Sequence, residues 1–229
     1  MHIAWIGKKS PFCGNVTYGR EITNALLERG YRVTFLHFAT DEESSDDHVG
    51  YEEVSLPFIF KSQILIIPSF SSARRLAEVL AELKPDLVHA SLSLSPLDFK
   101  LPEICHELGI PLVATFHPAF DRKRRNLTSG TQHFTYQLYA PRLANYDRVS
   151  VFSRIQQELL VKLGVPSERV AVIPNGVDVY RYAPGPSRIK KEFLAIQFYV
   201  YQGRLAIEKN VEAMLKGWIL ANMGPENKL

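Results

Sequence analysis

Three short stretches bring together side chains and spacings suited to chemistry. The first is Ser10-Pro11-Phe12-Cys13-Gly14-Asn15, a glycine-bearing loop between an apolar run and a helical pattern. Backbone N–H groups at a helix start carry partial positive charge and bind anions such as phosphate. A glycine there lets a ligand come close to the chain. The loop is neither a G-x-G-x-x-G nor a Walker loop, so taken alone it reads as an ordinary turn. The second stretch is Thr115-Phe116-His117-Pro118. His117 falls just past an apolar run, where an imidazole can donate to a sugar hydroxyl or a phosphate oxygen. Only its position sets it apart from the other six histidines. The third is Gly203-Arg204-Leu205-Ala206-Ile207-Glu208-Lys209-Asn210. Arg204 and Lys209 flank one loop that opens a helix. Two such cations would grip a diphosphate and neutralise it as a leaving group.

Two charge runs stand beside these. Asp41–Glu53 holds seven carboxylates and reads as a solvated loop. Arg122-Lys123-Arg124-Arg125 is four consecutive cations. It reads equally as a solvated turn or as a loop facing an anion, phosphate or lipid headgroup, because it closely follows a strand end, where ligands of α/β sheets bind. Cys13 and Cys105 are too few for a metal cage or a disulfide framework. They suit a reduced, cytoplasmic protein, and no metal is expected.

The elements that must position these residues follow from periodicity. His2–Gly7 is an apolar run ending in glycine, hence a buried strand. Ile22, Ala25 and Leu26 mark a helix face that Gly30 closes, and Tyr31–Phe38 is a second strand. A strand, a glycine-bearing loop, a helix and a strand in under forty residues make a βαβ unit, whose strands are parallel. The rhythm continues. Helices are expected over Ser72–Lys84, to Gly109, over Thr131–Ala144 and around Ile155–Leu163. Strands are expected at Leu87–Ala90, Pro111–Phe116, Arg148–Phe152 and Arg169–Ile173. The fold class is therefore α/β, a Rossmann-like, doubly wound, mainly parallel sheet covered on both faces. Past the turn-rich residues 176–195, Phe198–Tyr201 starts a new strand. Val211, Met214, Leu215, Trp218 and Ile219 then form one helix face.

Composition narrows the classes. With 229 residues, 46% apolar and 22% charged, the chain is an ordinary globular sequence of about one and a half domains. A net charge of +3 calls for no nucleic-acid partner. No run reaches the ~20 apolar residues of a membrane span. The absent glycine fingerprint argues against an NAD-dependent oxidoreductase.

Taken in order, the Pro11–Gly14 loop, Thr115–Pro118, Ile173-Pro174-Asn175-Gly176-Val177-Asp178 and Gly203–Asn210 resemble the amino-terminal part of GT-B fold, retaining glycosyltransferases of family 4. The resemblance implies two Rossmann-like domains. Residues 1–175 would be the acceptor side, 176–195 a linker, and 196–229 the start of the nucleotide-sugar-binding domain. It implies that Arg204 and Lys209 hold the donor diphosphate of a UDP- or GDP-sugar, with Gly14 approaching the same group. It implies that His117 works beside the reacting sugar. Asn15, Arg124 and Arg125 would lie on the acceptor side, facing a sugar or lipid acceptor with peripheral membrane contact. No cofactor or metal is implied. Gly14 is followed by Asn15 where the family commonly has a second glycine, and no two glutamates stand eight apart as in the family's donor domain. On this resemblance the 229 residues are expected to be a shortened form without transferase activity of their own. A non-catalytic sugar-, lipid- or protein-binding module is the alternative.

Overall fold

A computed structural model describes the chain except residues 11–12, 39–49, 63–64, 119–126, 204 and 206–208; of 127–130 it describes the backbone. The chain divides into two compact units, Met1–Asn175 and Gly176–Leu229.

The first unit is built on a parallel sheet of seven strands: β1 (His2–Gly7), β2 (Arg32–His37), β3 (Glu52–Ser55), β6 (Leu87–Ser91), β7 (Leu112–Thr115), β8 (Arg148–Val151) and β9 (Val170–Val172). Their order is β3-β2-β1-β6-β7-β8-β9, every pairing parallel. From β1 the chain winds outward to β3, then returns to the other side of β1 and winds to β9. The strand order thus reverses between β1 and β6, the point where open α/β sheets open a crevice at the carboxyl ends of their strands. Helices α1 (Gly14–Glu28), α2 (Ser72–Leu83), α3 (Leu101–Glu107), α4 (Leu127–Leu143) and α5 (Arg154–Lys162) connect them.

Sequence accounts for most of this. The inner strands are unbroken apolar runs because both faces are covered: Ile3 to Ile6, Val88, Ala90, Ala114, Val149 and Val151 are all buried. Trp5 is fully buried and packs with Val33 and Phe35. A Cβ on Gly7 would stand 2.9 Å from the Trp5 indole nitrogen, so that glycine makes room for the ring. Gly30, with φ +78°, ends α1 in a conformation that side chains resist.

Several boundaries differ from the periodicity. The stretch read as a solvated acidic loop ends in the edge strand β3, because Glu53 is neutralised there. Lys9 reaches it at 2.5 Å and His37 Nε2 lies 3.5 Å away. An antiparallel hairpin follows, β4 (Phe58–Lys61) and β5 (Ile66–Pro68), too short to register as alternation. Helix α4 starts four residues earlier than its apolar pattern.

The second unit holds α6 (Ile189–Glu192), β10 (Gln197–Phe198), α7 (Val211–Ala221) and β11 (Asn227–Lys228). β10 and β11 pair in parallel, with α7 as the crossover. The strand expected at 198–201 is shorter, and β11 has no signature at all in its two polar residues. Of the expected helix face, Val211, Met214 and Trp218 are half-buried, with Trp218 edge-on to Tyr199 at 5.1 Å. Leu215 and Ile219 are exposed.

Candidate functional site

At the reversal point the ends of β1, β6 and β7 meet the first turn of α1. This turn opens at Gly14, next to an extended Cys13. Gly14 is exposed, and a Cβ there would meet nothing within 4 Å. The protein's own packing therefore does not require a glycine at this place.

Asn15 ties α1 to the crevice. Its Nδ2 donates to the Leu92 carbonyl at 3.0 Å, and its Oδ1 accepts from the Ser91 hydroxyl at 2.8 Å. Ser91 ends β6 and is buried; its oxygen also lies 2.8 Å from His117 Nε2. His117 follows β7 by two residues. Its ring is met edge-on by Tyr18 at 5.0 Å and lies 5.3 Å from Phe152, so aromatic walls fix its plane. Burial pushes its pKa down to about 4, and the nearby charge of Lys8 adds to the effect. The ring is neutral at pH 7.

A second layer lies beneath. The Thr115 hydroxyl gathers Tyr18 at 3.2 Å, His89 Nε2 at 2.9 Å and Ser150 at 2.8 Å. His89 stacks on Trp5 at 4.2 Å, and burial, with some help from His117, pushes its pKa to about 4. Lys8 leaves the end of β1 and is buried, its ammonium donating to the Ser62 carbonyl at 3.0 Å. Burial lowers its pKa. The loop after β6 is pinned by Asp98, whose Oδ2 accepts from the Ser95 N–H and the Tyr139 hydroxyl, each at 2.9 Å. Burial lifts this carboxyl to about 6. Leu94 in the same loop sits at φ +54°, a left-handed conformation costly for a bulky residue, of a kind that clusters at functional sites.

Of the residues singled out in the sequence, the structure thus brings Gly14, Asn15 and His117 together. Asn15 spends both ends of its amide inside the network. Lys209 is exposed in the second unit, just before α7. Arg204, Arg124 and Arg125 lie outside the described residues. Ser91, Tyr18, His89 and Lys8 carry no signal in the sequence, and Thr115 stands there only as the start of the stretch that holds His117. His89 and Ser91 share β6, Thr115 ends β7, Tyr18 lies on α1 and Lys8 follows β1, so the meeting joins parts of the chain far apart in sequence. Among the described residues no three His, Cys, Asp or Glu side chains gather to hold a metal, and no helix is long and apolar enough to cross a membrane.

A search of curated proteins finds no match. Among solved structures, Anabaena Alr3699/HepE in complex with UDP-glucose is similar, with TM-score 0.68 and 18% identity over 99% of this chain and 59% of that one. Sucrose-phosphate synthase from Thermosynechococcus elongatus gives TM-score 0.60 and 19% identity over 96% of this chain and 59% of that one. A glycosyltransferase from Rickettsia africae gives TM-score 0.57 and 16% identity over 89% and 53%. At such identities these likenesses establish the fold, that of GT-B glycosyltransferases, and the chain spans about three fifths of the first two proteins' length. The family model for Glycosyltransferase Family 4 matches residues 14–181, a span that holds Gly14, Asn15 and His117 and stops short of Arg204 and Lys209. The chain belongs to Glycosyltransferase Family 4.

Proposed function

We propose that the protein serves sugar transfer from a UDP- or GDP-sugar to a sugar or lipid acceptor with retention of configuration, the first unit supplying the acceptor side. The observation that carries this reading is the placement of His117. A neutral, aromatic-walled imidazole stands at the end of β7, joined through Ser91 and Asn15 to the first turn of α1, which opens at an exposed Gly14 that packing does not demand. Family membership and the fold support it.

In this reading His117 meets the transferred sugar, and the first turn of α1 at Gly14 approaches the donor diphosphate with its backbone N–H groups. Arg204 and Lys209 are assigned to the donor diphosphate on the resemblance of their loop. The bond between the anomeric carbon and the diphosphate oxygen breaks. The acceptor hydroxyl bonds to the same face of that carbon, and its proton passes to the departing diphosphate oxygen. The cations offset the charge that develops there. Asn15, in the acceptor-side unit, acts through Ser91 on His117, and Arg124 and Arg125 face an anionic acceptor or membrane headgroup.

Calorimetric titration with UDP- and GDP-sugars tests the reading. Saturable binding, weakened in both His117→Ala and Lys209→Ala, is expected. Binding that survives both substitutions, or no heat with any nucleotide sugar, would count against it.

A further inference from the structure

We infer that Asn15 and Ser91 are positioning residues that fix His117 as its Nε2–H tautomer, so that Nδ1 offers a lone pair to a hydroxyl of the bound sugar and has no proton for a phosphate oxygen. The use of this lone pair rests on the proposed function; the tautomer itself does not.

The network is anchored by a group with one role. The Leu92 carbonyl can only accept, so the Asn15 atom 3.0 Å from it is the amide nitrogen. That turns Oδ1 toward Ser91, and Oδ1 also can only accept. The Ser91 hydroxyl has one proton, and it goes to Asn15. Toward His117, 2.8 Å away, Ser91 is left with lone pairs alone. The nitrogen facing them must be the donor, so Nε2 carries the hydrogen. In a neutral imidazole the other nitrogen is then bare, and burial and the Lys8 charge keep the ring neutral. Among the described residues no group bonds Nδ1.

The arrangement depends on a departure from the family pattern. A glycine in place of Asn15 would leave the Ser91 proton free to turn toward Nε2, and the tautomer would be undetermined. The amide at position 15 removes that freedom. It also assigns the chemistry of the partner. A sugar hydroxyl can donate to Nδ1, whereas a fully ionised phosphate has no proton to give and would meet lone pair against lone pair.

The test is histidine-selective 15N NMR of the whole chain at pH 7 to 8, without donor or acceptor, so that it cannot fail merely because the transfer reading fails. We expect His117 to show a protonated Nε2 and a bare Nδ1, favoured about five- to ten-fold, the bias one hydrogen bond sustains. Asn15→Gly and Ser91→Ala should each bring the two forms toward parity, and Ser91→Thr should restore the bias. Asn15→Gly sits at the start of α1 and serves if the buried Ser91 variant does not fold. A protonated Nδ1 in the native chain would overturn the inference, as would a bias unchanged in Asn15→Gly.

Discussion

Acid should weaken this protein through its site before it does so through its surface. His89 and His117 have folded pKa values near 4, against 6.5 when unfolded. Below pH 6.5 the unfolded chain takes up protons that the folded chain refuses, so stability falls with pH until about pH 4. Each pH unit between the two values is worth about 1.4 kcal/mol per group. From pH 8 to pH 5 this amounts to about 2 kcal/mol for each histidine. Asp98 works the other way. Its folded value near 6 lies above the ordinary 3.8. The folded chain therefore gains a proton first, and this returns about 1.4 kcal/mol by pH 5. The net loss is about 3 kcal/mol, a large fraction of the 5–15 kcal/mol typical of a domain. His2 and His37, both lowered chiefly by burial, add to it. Urea unfolding at pH 8 and pH 5, followed by the fluorescence of buried Trp5, measures the loss. Asp98→Asn should enlarge it by about 1.4 kcal/mol and His117→Gln should shrink it by about 2 kcal/mol. Stability that stays level or rises from pH 8 to pH 5 would refute the reasoning.

Further expectations separate packing from function. Gly7→Ala should destabilise by about 1–3 kcal/mol in chemical unfolding, because the new methyl meets the buried Trp5 ring; a neutral effect would mean that the ring moves freely. Gly14→Ala has open space around it, so its stability should stay within about 0.5 kcal/mol of native while nucleotide-sugar affinity drops; retained affinity would detach Gly14 from the ligand. Ser153→Ala removes the hydroxyl that accepts the Gln156 N–H at the start of α5 and should cost about 1 kcal/mol by thermal unfolding. Trp5→Ala, which empties a fully buried site stacked on His89, should cost about 3–5 kcal/mol, and a loss below 1 would contradict the packing.

The sheet was legible in the sequence where strands are apolar runs closed by turn residues, as in β1, β2, β6, β7 and β8 inside the sheet and in the short edge strand β9. It was not legible at the other edge, β3. β3 carries Glu52 and Glu53, which meet Arg32 and Lys9 from residues distant in sequence. The short hairpin β4–β5 and the two-residue β10 and β11 have too few positions for any period. The site divides in the same way. Gly14 stands out as a glycine where a helix opens and His117 as a histidine just past a strand, and position in an α/β fold predicts the crevice. The roles of Asn15, Ser91 and Thr115 depend on contacts across 26 to 97 residues of chain, which spacing does not encode. Lys8 reads as a loop cation, and the fold buries it.

The central claim is that the crevice at His117 receives the sugar of a nucleotide-sugar donor. Following the His117 ring resonances while UDP- and GDP-sugars are added tests it most directly. The account predicts a saturable shift of His117 for at least one nucleotide sugar, larger than the shift caused by the matching free nucleotide. Saturable binding that leaves His117 unmoved, or shifts no different from those of the free nucleotide, would contradict it.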